Sequence, residues 1–354
     1  MFEEARLLLR IVFAGKVLFL SLVPVGGCFM IAVYILLLIA GFVGLIKGAD
    51  IFVNGSSALA RIFKVPSLII GLTIVALGTS APELAVSISA AIQGSNEIAL
   101  SNVVGSNLFN LLSVLGVCSL FAPLPVGKTV LKRDFPVSLF PIVLLLIVIG
   151  GPLVLRGSLS GYQMTENVGT VTRILGLIFL VVFIAYIVFL IWQAKKQAAP
   201  DSGLEVMPVG RCIVYILIGI VLIIAGGQAV VYGAKEIARA AGMTETLIGL
   251  TIVAVGTSLP ELVTSIVAAK KGETELAVGN VVGSNILNLL LILGVSAVIH
   301  PVAVNMASVC DMATLLFVSV LTLIFSITGK KINRGEGIVM ILLYVGQVLF
   351  AIFR

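Results

Sequence analysis

Two stretches of this chain repeat one another. Gly71–Ser87 reads GLTIVALGTSAPELAVS and Gly249–Ser265 reads GLTIVAVGTSLPELVTS, identical at 13 of 17 positions. Each is followed at the same distance by a second matched block, SNVVGSNLFN at Ser101–Asn110 and GNVVGSNILN at Gly279–Asn288. One offset of 178 residues aligns everything, setting Glu83 on Glu261, Ser106 on Ser284 and Asn110 on Asn288. A chain built this way is two copies of one unit, and whatever the unit does is done at the meeting of the copies.

The setting is a membrane. Of 354 residues 60% are hydrophobic and only 11% charged, against about a quarter charged in soluble domains. Charge-free runs long enough to span a bilayer recur along the chain. They predict ten spans, at 30–49, 66–92, 98–121, 135–154, 172–193, 211–233, 246–269, 276–298, 311–328 and 337–353. With the N-terminal end of the first core span outside, fourteen Lys and Arg fall on cytoplasmic connections and five on the opposite side. That is the positive-inside pattern. It gives the +6 net charge a meaning without nucleic acid, whose recognition needs clustered basic residues that these dispersed pairs do not form. Cys28, Cys118, Cys212 and Cys310 lie far apart with no CxxC pair, so they read as small apolar residues.

Residues 1–29 have no counterpart in the second half and read as an N-terminal extension, signal-like or preceding a true start at Met30. From there the chain divides into a first five-span repeat at 30–192, a polar hinge at 193–210 and a second five-span repeat at 211–354. The hinge is expected on the cytoplasmic side. Five is odd, so the second copy enters the membrane from the opposite face. The expected fold is therefore all-α and integral to the membrane: ten transmembrane helices in two inverted-topology repeats, with broken helices at the midplane.

The duplicated blocks carry oxygen chemistry. Pro82 and Pro260 lack an N–H and should break their helices near Gly78 and Gly256, freeing carbonyls that hydrocarbon cannot satisfy. Thr79 and Glu83 are four residues apart and Ser80 and Glu83 three, so their oxygens share a helix face. Ser106 and Asn110 share one too, and the second half repeats both arrangements. Carboxylates, hydroxyls and amides without His or Cys favour hard cations such as Na⁺ and Ca²⁺. Two carboxylates about 5 Å apart repel by roughly 3 kcal/mol at an effective dielectric near 20, a repulsion that a cation between them removes. Asn107 and Asn285 sit one position off the shared face and are expected to hold the helix break together.

With GTS-x-PE and GNVVGSN-xx-N each present in both halves (the second copy's Gly279 being Ser101 in the first), the chain resembles the Ca²⁺:cation antiporter superfamily, and within it the prokaryotic sodium/calcium exchangers. The resemblance covers residues 31–354 and implies sodium entry driving calcium export by alternating access in a prokaryotic plasma membrane. It implies that Glu83 and Glu261 are central ligands shared by both ions and that Asn110 and Asn288 complete the middle of the site. Thr79, Ser80, Ser106, Thr257, Ser258 and Ser284 would ligate flanking sodium ions, with the carbonyls of Ala76 and Ala254. Many relatives have Asp at one of the two Asn positions, so this site carries two formal negatives instead of three, and Asn288 argues against the potassium-dependent branch. Ca²⁺ and Na⁺ would be substrates. No cofactor and no protein partner is expected, and a monomer would suffice.

Other readings differ in coupling or class. Paired carboxylates can exchange protons, which would make this an H⁺-coupled calcium antiporter. A cation channel would use similar helix breaks, but inverted repeats in one chain favour alternating access. An intramembrane enzyme with Ser80 or Ser258 as nucleophile lacks a base, because the one histidine, His300, lies outside both blocks.

Overall fold

The computed structural model describes residues 27–94, 96–152, 162–196, 207–243, 252 and 254–353. Positions 1–26 of the N-terminal extension, 153–154 of the fourth expected span, 197–206 of the hinge, and 246–251 and 253 of the seventh expected span lie outside the described residues.

Among the described residues, eight helices are long and apolar enough to cross a membrane, and a bent pair makes a ninth if it is one span. In chain order the helices are α1 (Gly27–Ile62), the bent pair α2 (Ser67–Thr79) and α3 (Ala81–Ile92), α4 (residues 96–121), α5 (Val130–Gly150) and α6 (Arg173–Lys196). The second half continues with α7 (Val209–Ala240), a single turn at Ala254–Gly256, α8 (Leu259–Lys270), α9 (Thr274–Ile299), α10 (Met306–Thr328) and α11 (Arg334–Phe353). Large apolar side chains face outward on many of them, including Leu36, Ile174, Val181, Leu217 and Leu342, each more than half exposed. Water tolerates no such surface and lipid requires it.

The first helix overruns its expected end at 49. At 36 residues it is about 54 Å long, and the 32-residue α7 about 48 Å, against a hydrocarbon core of about 30 Å, so both must tilt or project. The polar stretch beyond Asp50 stays helical because Phe52, Val53, Leu59 and Ala60 still bury an apolar face. These two helices pack backbone to backbone. A Cβ on Gly41 would lie 2.8 Å from the Gly226 carbonyl oxygen, and one on Gly226 would lie 2.7 Å from that of Gly41, the close approach that small residues permit in membranes.

Short strands, absent from the sequence expectation, close the connections. β1 (Leu124–Pro125) pairs antiparallel with β4 (Lys331–Ile332), and β2 (Asn167–Val171) with β3 (Val302–Asn305). Each pair joins the link between the third and fourth long segments of one half to the link after the fourth of the other. Two to five residues without alternating polarity give no readable strand signal.

Candidate functional site

The polar residues of the duplicated blocks converge in the interior. Thr79, Ser80, Glu83, Ser106, Asn110, Ser258, Glu261, Ser284 and Asn288 are each at most 2% exposed.

The local geometry begins with the helix breaks. The chain leaves helix at Ser80 (φ −83°, ψ 9°) and at Ser258 (φ −94°, ψ 7°), and restarts at Ala81 and Leu259. Each proline is therefore the second residue of a new helix, where a missing N–H costs nothing, and the departure falls at the serine instead of the Gly78 or Gly256 carbonyl. Glu83 and Glu261 stand in the first turn of α3 and α8, where the unpaired N–H groups of the helix end favour negative charge.

Across the halves the contacts are reciprocal. Ser80 donates to Glu261 Oε1 at 2.7 Å, and Ser258 to Glu83 Oε1 at 3.0 Å. Ser80 and Ser284 hydroxyls lie 2.9 Å apart, those of Ser258 and Ser106 3.1 Å. Asn110 Nδ2 donates to Asn285 Oδ1 at 3.1 Å, and Asn288 Nδ2 to Asn107 Oδ1 at 3.0 Å.

What is left over is equally matched. Glu83 Oε2, Glu261 Oε2, Asn110 Oδ1 and Asn288 Oδ1 are all buried without a hydrogen-bond partner. Leaving one such acceptor unmade costs about 1–3 kcal/mol, more for a charged group. Four together, all electron-rich and none a donor, form a set that a cation would satisfy.

The flanking residues are arranged less evenly. Thr79 donates toward Asn280 Oδ1 at 3.0 Å and lies 3.1 Å from the Val75 carbonyl, whereas the buried Thr257 hydroxyl has no hydrogen-bond partner among the described residues. The Ala76 carbonyl accepts the Ser80 N–H at 3.0 Å and lies 3.3 Å from the Thr79 hydroxyl. Ala254 lies in the short turn ahead of Thr257.

Three matched pairs escaped the sequence reading or were given another role. Asn102 donates to Ser87 at 3.0 Å and toward the Glu83 carbonyl at 3.4 Å, and Asn280 does the same to Ser265 at 2.9 Å and the Glu261 carbonyl at 3.5 Å. They brace the helix turn that bears each glutamate. Asn107 and Asn285, expected to pin a helix break, instead lie in continuous helices just before π-type turns at Asn110–Val114 and Leu287–Ile292, widened turns that favour functional positions. All of these residues stood inside the duplicated blocks at the same offset, which was signal enough.

The chain matches the sodium/calcium exchanger protein family over residues 33–192 and 212–353. It belongs to that family. It is similar to the sodium/calcium exchanger MaX1 of Methanosarcina acetivorans, 34% identical with 91% of this chain and 100% of that protein covered. It is also similar to the inner membrane protein YrbG of Escherichia coli, 34% identical over 86% of this chain and 92% of that one. Among solved structures it resembles the sodium-calcium exchanger NCX_Mj soaked with 2.5 mM Na⁺ and 0.1 mM Ca²⁺, with a TM-score of 0.74, 32% identity, and 90% and 98% of the two chains covered. This family member is a multi-pass membrane transporter and not an enzyme.

Proposed function

We propose that this exchanger-family protein is a secondary antiporter that moves Ca²⁺ against Na⁺ by alternating access, with the four unpartnered oxygens as its central ion site. The observation that carries the reading is their composition: two carboxylate and two amide oxygens, buried, each matched by its partner at the 178-residue offset. One Ca²⁺ or two Na⁺ would balance the two formal charges, and either ion takes oxygen ligands. Ser80, Ser258, Ser106 and Ser284 sit beside the carboxylates and, with Thr79, Thr257 and the Ala76 and Ala254 carbonyls, are proposed to hold flanking Na⁺.

The architecture we propose has ten spans in two inverted repeats, 30–192 and 211–354, joined by a cytoplasmic hinge at 193–210. Its support is the reciprocity of the cross-half hydrogen bonds and of the two strand pairs. The positive-inside bias supports an external start to the first core span.

Coupling to H⁺ is the second reading, favoured by the paired carboxylates themselves. The test is ⁴⁵Ca²⁺ uptake into proteoliposomes holding the full-length chain. Uptake is expected only with an outward Na⁺ gradient, and faster at pH 8 than at pH 6, because protons compete for Glu83 and Glu261. Uptake driven by a proton gradient in the absence of Na⁺ would reassign the coupling ion. Calcium flux without any counter-ion gradient would indicate a channel.

A further inference from the structure

An amide side chain is a ligand with two opposite ends. Turned one way it offers a cation an oxygen, and turned by half a rotation it offers an N–H₂ group that repels it. Asn110 and Asn288 thus contribute to a cation site only if something holds them in one orientation, and neither carboxylate can do that for them without being used up.

The structure supplies the holding groups. Asn110 Nδ2 is taken by Asn285 Oδ1 at 3.1 Å, and Asn288 Nδ2 by Asn107 Oδ1 at 3.0 Å. Each bond crosses between the halves, so each half orients the amide of the other. Asn107 is itself fixed, because its Nδ2 donates to the Asn285 main-chain carbonyl at 3.2 Å. All four side chains are at most 4% exposed, and Asn110 Oδ1 and Asn288 Oδ1 are the buried ends left without a partner. Residues 107 and 110 are three apart on one helix, as are 285 and 288, so holder and held share a face and meet their counterparts at one level.

Resting on the proposed ion site, we propose that Asn107 and Asn285 are positioning residues that set the polarity of the central amides, keeping oxygen toward the ion and nitrogen away. They touch no ion themselves. Their effect passes through Asn288 and Asn110, which separates this role from simple packing of α4 against α9.

The experiment is a double-mutant cycle in full-length purified protein, titrating Ca²⁺ by calorimetry with and without competing Na⁺. Asn285→Leu keeps the branched shape and removes the acceptor. It is expected to weaken Ca²⁺ binding about tenfold in the wild-type background and less than about twofold in the Asn110→Ala background. Asn285→Asp restores an oxygen acceptor for Asn110 Nδ2 and is expected to bring affinity back to within about threefold of wild type. The reciprocal cycle, Asn107→Leu with Asn288→Ala, gives a second reading if the first set does not fold. Equal losses in both backgrounds, wild-type affinity in Asn285→Leu, or an Asp variant no better than Leu would each overturn the proposal. A wild-type protein that binds neither Ca²⁺ nor Na⁺ would instead overturn the ion site on which it rests.

Discussion

The two halves make the same bonds in different surroundings. Ser80 to Glu261 and Ser258 to Glu83 differ by 0.3 Å (2.7 against 3.0), and Asn102 to Ser87 and Asn280 to Ser265 by 0.1 Å (3.0 against 2.9). Around them the packing diverges. Gly279, Asn280 and Gly283 on α9 are buried, and a Cβ at Gly279 would lie 2.6 Å from the Leu68 carbonyl oxygen of α2. At the matching positions on α4, Ser101 and Gly105 are exposed and Asn102 is half-buried, and residues 244–251 and 253, the counterparts of the α2 segment that covers α9, lie outside the described residues. Thr79 is fastened to α9 through Asn280, while the Thr257 hydroxyl meets no hydrogen-bond partner among the described residues. Among the described residues, then, the chemistry is duplicated where the burial is not.

The sharpest way to break the chemical equivalence is at the carboxylates. Glu83→Gln and Glu261→Gln should each cut sodium-driven ⁴⁵Ca²⁺ uptake at least a hundredfold, and near-normal transport by either would remove the central site. Ser80→Ala and Ser258→Ala come next. Each deletes one hydrogen bond to a charged group, worth about 1.5–3 kcal/mol, so apparent Ca²⁺ affinity should fall about tenfold or more in both, and a normal value in one alone would separate the halves.

The difference in packing has its own test. In a cysteine-free background, Asn102→Cys should react with a water-soluble thiol reagent at least tenfold faster than its counterpart Asn280→Cys in the ion-free protein. Equal rates would mean that α4 and α9 are equally covered. The smallest expected effect concerns the threonines. Thr79→Val should lower thermal stability by about 1 kcal/mol, the typical worth of one hydrogen bond, and Thr257→Val by less. Equal losses would show that the second hydroxyl finds a partner in solution.

The duplicated blocks made the interior legible before any coordinates. A carboxylate beside a proline in an apolar chain leaves few alternatives, and Glu83 and Glu261 are buried at helix starts. Helix ends do not coincide with hydropathy ends. Hydropathy ends the first span at 49, yet α1 runs to Ile62 because its apolar face continues. Proline looked like a break inside a helix, yet at each site it sits just after a serine that has already left one. Contacts that depend on a distant partner were illegible. Lys271 reaches Asp50 Oδ1 and Asn54 Oδ1, both at 2.6 Å, and Glu273 takes Arg61 at 3.4 Å, fastening the turn after α8 to α1. No local pattern announces such a link, and the other half has Gln93 and Gln228 at the positions of Lys271 and Asp50.

The crossing of the serine–glutamate and asparagine–asparagine bonds from one half to the other fixes when the site comes into being. Ser80 waits for Glu261, 181 positions later, and Asn110 for Asn285, 175 positions later. A ribosome that has delivered the chain only as far as α7 has made Glu83 and Asn110 but not Ser258 or Asn285, the cross-half partners of their side chains. The nascent first half must carry its carboxylate without Ser258 until α8 arrives, so the centre of the transporter cannot form before most of the second half has been made.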